Sequence, residues 1–541
     1  AVTREERLAR AVALAQAGSS AAIAPLRELL TDAAPAERVT LSSHLVAGLV
    51  ATDRLDEAEA FLPERIAALR EAGHAAQADL EERLGLVLFG KDLAEAGDLL
   101  RAEVAAAADA PADVRADLLQ TLGVARLYEG GFAEAREDAR TAARLFVVAG
   151  EAVRAQGAQV LEVDAAASAS LFDEAREVVA ELLASPLSDG RRARVLAARA
   201  RLQGGAGEFE SGAADADETV RLLLSLGADD LRVGEAFLLA GALHEDAGSA
   251  SLAAGRYRSA AERFESAGAP TAETRYRLGR ALLAADMPQE ALDALHEALQ
   301  EETAAEVPAG SRAITVALLA RAYEEARDYG NAVGAWGFAA DLYEEAGESE
   351  GQAQALVQQG RHLGNFGEFD DAVLAFDTAI GLIRDREDQV GVLAEALHLL
   401  AQAKMQRGDE DAFEVIDQAL ALGRANEAHW YVADVLDTRA RLLAARERTD
   451  EAVATALQAA DGFAEAGDPG SGAGSELLAA RLLVGVDRAA DAVLLYRSAV
   501  DHATEGGNDP LRQQAALELG DVYEGLGRHA EAAEIRATTS A

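Results

Sequence analysis

A small residue that returns close to every fortieth position constrains this chain more than any other feature. The pattern apolar–x–acid/polar–Ala appears as Leu55–Asp56–Glu57–Ala58, Leu93–Ala94–Glu95–Ala96, Phe132–Ala133–Glu134–Ala135, Phe172–Asp173–Glu174–Ala175 and Phe369–Asp370–Asp371–Ala372. Taking its last residue as a marker gives positions 58, 96, 135, 175, 212, 253, 291, 332, 372, 412, 452, 492 and 532, with the last five steps all 40. Position 212 is Gly, which is also small. A fixed period of this size means stacked units, none of which buries a core alone. The 541 residues would otherwise be worth three or four domains at roughly 150 residues each. Stacking makes that division unnecessary.

Each period reads as two amphipathic helices. Ala353, Leu356, Gly360 and Leu363 share one face, as do Val373, Phe376, Ile380 and Ile383 after a break at Gly364–Asn365–Phe366–Gly367. Gly, Asp, Ser and Pro punctuate the joints between pairs, as in Ser185–Pro186, Asp468–Pro469 and Asp509–Pro510, where proline suits a helix start. Residues 467–474 are the most linker-like stretch, yet they fall at an ordinary joint. A second small residue precedes the marker by twelve: Gly123, Ala200, Gly241, Gly279, Ala320, Gly360, Ala440, Ala480 and Gly520. These two positions are expected where the paired helices cross, because a larger side chain would hold the backbones apart. The markers of aromatic packing, Trp336, Phe376 and Tyr496, follow the small residue by four and are expected in the core; Trp430 is off that register and is a weak contact candidate.

Leu122–Gly123 with Gly130, Phe132 and Ala135, Leu519–Gly520 with Tyr523, Gly527 and Ala532, and the set Gly360, Leu363, Gly367, Phe369, Ala372, Phe376 and Ala379 resemble the tetratricopeptide repeat. The period departs from that family's usual 34 residues, which implies longer helices, and the proline closing each repeat is often missing. The resemblance covers residues 35–541 and implies an all-α, right-handed superhelical solenoid of about 13 antiparallel helix hairpins in one continuous array. It also implies a non-catalytic scaffold that binds a peptide or protein segment in a concave groove; no cofactor or metal is expected. Residues 1–34 fit the period poorly. Thr3–x–x–Glu6 is a capping box, Ser19–Leu30 could be a second helix, and the pair reads as a divergent N-terminal cap.

Composition excludes several classes. There is no cysteine, hence no disulfide framework, thiolate metal site or cysteine nucleophile. A formal charge of −44 opposes direct nucleic-acid binding and attachment to anionic membranes. No apolar run nears the ~20 residues that span a bilayer, and the start AVTREER lacks a signal-peptide core. The expectation is a cytoplasmic, bacterial protein. Only Lys91 and Lys404 are lysines; a GC-rich coding sequence or a salt-adapted surface accounts for the charge more simply than function does. Catalytic signals are poor. Gly85 to Lys91 fits G-x-x-x-x-G-K, but Asp92 follows where a phosphate loop needs Ser or Thr. His362, His398 and His429 sit in successive repeats and read first as helix residues rather than ligands.

One pattern points to binding. The residue after the small position on each first helix is Arg201, Arg280, Arg321, Arg361, Arg441 and Arg481, with Asp164, Ala242, Gln402 and Asp521 elsewhere in the register. The resemblance directs this position into the groove. Arginine's planar fork matches carboxylates, so the six are candidate contacts for an acidic segment of a partner. The competing reading, the heavier of the two, neutralises them with acids on adjacent helices. Local pairing is expected for Arg441, with Asp437 four residues before it, and for Arg321, with Glu324 and Glu325 ahead. Arg201, Arg280, Arg361 and Arg481 have no acid three or four residues away. The cluster Arg191, Arg192, Arg194 and Arg199 could extend the groove or be a solvated face. Two further functions stay open: a regulatory sensor or adaptor subunit of a bacterial signalling or transcription-control system, and an acidic nucleic-acid mimic that blocks a basic protein. The short last helix leaves end-to-end self-assembly open.

Overall fold

A computed structural model describes residues 3–17, 19–52, 54–89 and 93–539. Among these residues there are 28 α-helices and no strand. Arg4–Ala17 and Ile23–Thr31 come first, and the remaining helices pair into 13 hairpins, from Pro35–Ala51 with Leu55–Glu71 to Asp509–Gly525 with His529–Ala537.

The 40-residue period has a simple mechanical origin. From His429 onward the helices His429–Ala445, Thr449–Glu465, Pro469–Gly485, Ala489–Glu505 and Asp509–Gly525 are each 17 residues long. Three-residue loops join them, so half a period is 20. The middle loop residue is left-handed: Glu447 (φ 58°), Gly467 (80°), Asp487 (58°), Gly507 (66°) and Gly527 (74°). The chain then closes each helix with two bonds of the Schellman type, as where Arg488 N donates to Leu483 O at 2.8 Å and Asp487 N to Val484 O at 3.2 Å. Residues 467–474, linker-like in sequence, are mostly helix. Pro469 occupies the first turn and the Asp468 side chain accepts from Ser471 N. Gly470 and Gly472 are there for close approach: an added Cβ would stand 2.9 Å from Gly506 Cα and 3.1 Å from Ala460 O.

The crossings follow the sequence pattern. Ala58, Ala135, Ala175, Ala253, Ala291, Ala332, Ala372, Ala412, Ala452, Ala492 and Ala532 are fully buried; the side chain of Ala96 lies outside the described residues. A Cβ on Gly123 would meet Ala135 O at 3.2 Å. Elsewhere the small residue on the first helix receives the side chain four beyond the marker. A Cβ on Gly241 would stand 2.7 Å from Tyr257, on Gly279 2.5 Å from Leu295, and on Gly360 2.7 Å from Phe376. Trp336, Phe376 and Tyr496 are buried accordingly.

The hairpins fall into two compact units, residues 1–302 and 303–541. In the first, the capping box forms as expected, with Thr3 N donating to Glu6 Oε2 at 2.7 Å and Glu6 N to Thr3 Oγ1 at 3.2 Å. Leu14, Ile23 and Leu26 pack with Leu41, Leu45 and Leu49 of the first hairpin. The same N-terminal pair also reaches the joint between the fifth and sixth hairpins: Ser19 Oγ donates to Gly227 O at 2.6 Å, and Ser20 N and Oγ donate to Asp229 Oδ1 at 2.7 and 2.8 Å. The second unit is built around a core that includes Val357, Phe376, Ile380, Leu397, Ile416 and Leu436.

Candidate functional site

Five of the six register arginines have carboxylate partners. In the first unit Arg201 Nη2 lies 2.7 Å from Asp164, on the first helix of the hairpin before. Arg280 grips Glu245 with two bonds, Nε to Oε1 at 2.7 Å and Nη2 to Oε2 at 2.9 Å. In the second, Arg361 pairs with Glu395, Arg441 with Asp437 at 2.7 Å, and Arg481 with both oxygens of Glu518 at 2.9 and 2.6 Å. Within each unit the result is alternating charge along the register, made mostly by neighbouring hairpins. These side chains remain 43–51% exposed, in the range where ion pairs contribute about 0–1 kcal/mol.

The local pairing expected for Arg441 forms; that expected for Arg321 does not. Glu324 is taken instead by Trp336 Nε1, which donates at 2.7 Å, and by His362 Nε2 at 2.6 Å. A buried indole N–H needs an acceptor, and four residues beyond Ala320 is where one stands. The same geometry recurs where Tyr257 OH donates to Glu245 at 2.7 Å. Burial alone would raise the Glu245 carboxyl; the bonds from Arg280 and Tyr257 override it and hold Glu245 below its ordinary value. Arg321 is therefore the register arginine without an ion pair among the described residues. The signal that could have marked it in sequence is Trp336, whose N–H competes for Glu324.

Arg321 lines a cavity of about 530 Å³ in the second unit, with Trp336, Tyr343, Gln354, Gln358 and Val392 around it. A second cavity of about 420 Å³ lies against Val390, His398, Leu399 and Tyr431, and a third of about 360 Å³ against Arg361, Phe369, Met405 and Arg441. Glu395 borders the first two, and Leu399 and Asp434 the last two. The three make a row along the first helices of successive hairpins.

The other candidates resolve as follows. His362 stacks on Tyr329 with ring centroids 5.6 Å apart, and His398 bonds to Thr438 Oγ1 at 2.7 Å. Burial holds His398 below its ordinary pKa against the pull of Asp434 and Asp437. No group of three metal-ligating side chains occurs among the described residues. Trp430 is half exposed and donates to Asp468 Oδ2 at 2.9 Å. Gly90, Lys91 and Asp92 of the phosphate-loop match lie outside the described residues. No described helix is long and apolar enough to cross a membrane. In the basic cluster Arg199 is bound twice by Asp215, at 2.5 and 2.7 Å, Arg192 is exposed and Arg191 is buried.

No family model matches the chain, and no curated protein matches it. Solved structures similar to it include the apo form of RapI, at 13% identity and TM-score 0.44, over 65% of this chain and 98% of that one. The apo form of the quorum sensor NprR from B. thuringiensis gives 14% and 0.37, over 70% and 96%. YrrB, a TPR protein with an unusual peptide-binding site, gives 19% and 0.29, over 38% and 90%. The chain is an all-α solenoid whose repeat resembles the tetratricopeptide pattern. The assignment rests on its own geometry: antiparallel helix pairs, a fixed period, and small residues at each crossing.

Proposed function

We propose that this tetratricopeptide-like chain is a non-catalytic interaction protein, and that residues 303–541 carry a groove for an extended segment of a partner protein. The carrying observation is Arg321, a register arginine without an ion pair among the described residues, set in a cavity with an aromatic wall, two glutamines, and two carboxylates already engaged elsewhere, Glu324 by Trp336 and His362 and Glu395 by Arg361. A guanidinium there can take one carboxylate bidentately. Gln354 and Gln358 offer donors and acceptors to a peptide backbone, and the apolar cavity against Leu399 and Tyr431 would take a neighbouring side chain. In this reading the partner supplies one acidic anchor flanked by apolar residues. The paired arginines at 361, 441 and 481 set the alternating charge of the rim and offer weak, exchangeable contacts.

A display library of random peptides tests this on the full chain, with Trp336 fluorescence as a second readout. Enriched peptides are expected to share an acidic residue or terminal carboxylate beside apolar positions, and to lose at least tenfold in affinity for Arg321→Ala. Enriched peptides that bind Arg321→Ala as tightly as the parent, or a library that yields none, would overturn the reading.

A further inference from the structure

Arg191 lies near the start of the helix Asp189–Gly205 in the first unit and is 8% exposed. Among the described residues its guanidinium makes one hydrogen bond, a long one from Nη2 to Val153 O at 3.4 Å, and Nε has no partner. Among the described residues no carboxylate pairs with it. The acids on neighbouring inner helices are already engaged, Asp117 by Arg154 and Gln77, and Glu81 by Arg65 and Gln77. In a chain with 94 acidic and 50 basic residues, a buried guanidinium left without an acid is an exception that needs a cause, because a buried charge is costly unless it is paired.

The surroundings of Arg191 supply one. Gly157, on the helix Ala152–Ser168, leaves its flank bare. The point where a Cβ would stand lies 3.2 Å from Arg191 Nη1, 3.7 Å from Arg191 Nη2 and 3.7 Å from Gln120 Nε2 on the helix Ala112–Glu129. Three nitrogens of two residues thus stand around one point beside Gly157, where three helices meet. Arg194 follows Arg191 by one turn, on the same face, and its buried Nε is also without a partner. Burial, then the charges of Arg191, Arg154 and Arg65, hold His44 below its ordinary pKa.

We propose that Arg191, Gln120 and the bare flank of Gly157 form a binding site for a small oxyanion, a carboxylate or a phosphate, with Arg194 as a second cation. The site belongs to the first unit and is independent of the groove at Arg321. An anion there would accept hydrogen bonds from Arg191 and Gln120 and supply the missing counter-charge.

Thermal melting of the full chain, titrated separately with inorganic phosphate and with acetate against sodium chloride of equal ionic strength, tests the site. The expected result is a rise in melting temperature with one or both anions beyond the chloride control, the effective arm naming the ligand class. Gly157→Ala places a methyl in the cradle at little cost to the helix and should raise the half-saturating concentration at least tenfold. Arg191→Met should do the same, and Arg192→Met, at the exposed neighbour, should leave it unchanged. The proposal is overturned if neither anion stabilises the parent beyond chloride, if Gly157→Ala responds like the parent, or if Arg192→Met abolishes the response.

Discussion

The crossing of paired helices can be tested by making one substitution at two glycines and expecting opposite signs. At Gly360, in the helix Ser349–Asn365, an added methyl would lie 2.7, 2.9 and 3.0 Å from Cε1, Cζ and Cδ1 of Phe376. Favourable carbon contacts begin near 3.5 Å, so the ring must retreat by roughly 0.5–1 Å. Phe376 is 1% exposed and enclosed by the core of its unit, which leaves it nowhere to go. Overpacking of this kind costs about 1–3 kcal/mol, and replacing glycine within a helix returns about 1 kcal/mol. Gly360→Ala should therefore destabilise by about 1 kcal/mol. At Gly474, midway along Pro469–Gly485, nothing lies within 4 Å of the added methyl, so Gly474→Ala should stabilise by about 1 kcal/mol. Amide hydrogen exchange read by mass spectrometry over residues 349–383 and 469–505 measures each locally. A change of 1 kcal/mol corresponds to roughly a fivefold change in exchange rate. Shifts of the same sign in the two variants would refute the reasoning about the crossing.

Further outcomes follow from other parts of the chain. Glu447 and Asp487 hold left-handed backbone, which costs a residue with a side chain about 1–2 kcal/mol, while glycine carries an entropic cost of roughly 0.5–1 kcal/mol. Glu447→Gly or Asp487→Gly should raise the melting temperature, and a fall in both would show that the loops are held by their side chains. The bonds from Arg481 hold Glu518 below its ordinary value. Its contribution is thus present above the unfolded value near pH 4.3 and lost as pH falls through the folded one; Glu518→Gln should flatten the melting curve against pH between about 3 and 5, and an unchanged acid limb would remove the pair from the stability account. Arg361→Glu alone places a like charge beside Glu395 and should lower the melting temperature. Adding Glu395→Arg should restore it, and failure of the double variant to recover would show that the two side chains do not act as a pair.

Repeats of small residues made the helix pairs, their number and their crossings legible before any coordinates. Packing density allows little alternative: a position facing a neighbouring backbone at contact distance admits Gly or Ala wherever it recurs, as Gly123 against Ala135 O shows. The candidate site was legible only in outline. The register that lines up Arg201, Arg280, Arg321, Arg361, Arg441 and Arg481 is a property of the sequence, but their partners are not. Four of them take carboxylates 34 to 37 residues away in the chain, across helix pairs, where local spacing carries no information. Arg321, with two acids within four residues, stands unpaired because the buried N–H of Trp336 and the ring of His362 claim Glu324 first. The division at residue 302, the contact of the N-terminal pair with the joint between the fifth and sixth hairpins, and the burial of Arg191 beside Gly157 likewise belong to the tertiary structure. Periodicity fixes what each helix must bury against its neighbour. Which charges meet, and which are left over, depends on how neighbouring helices in the stack bring side chains together.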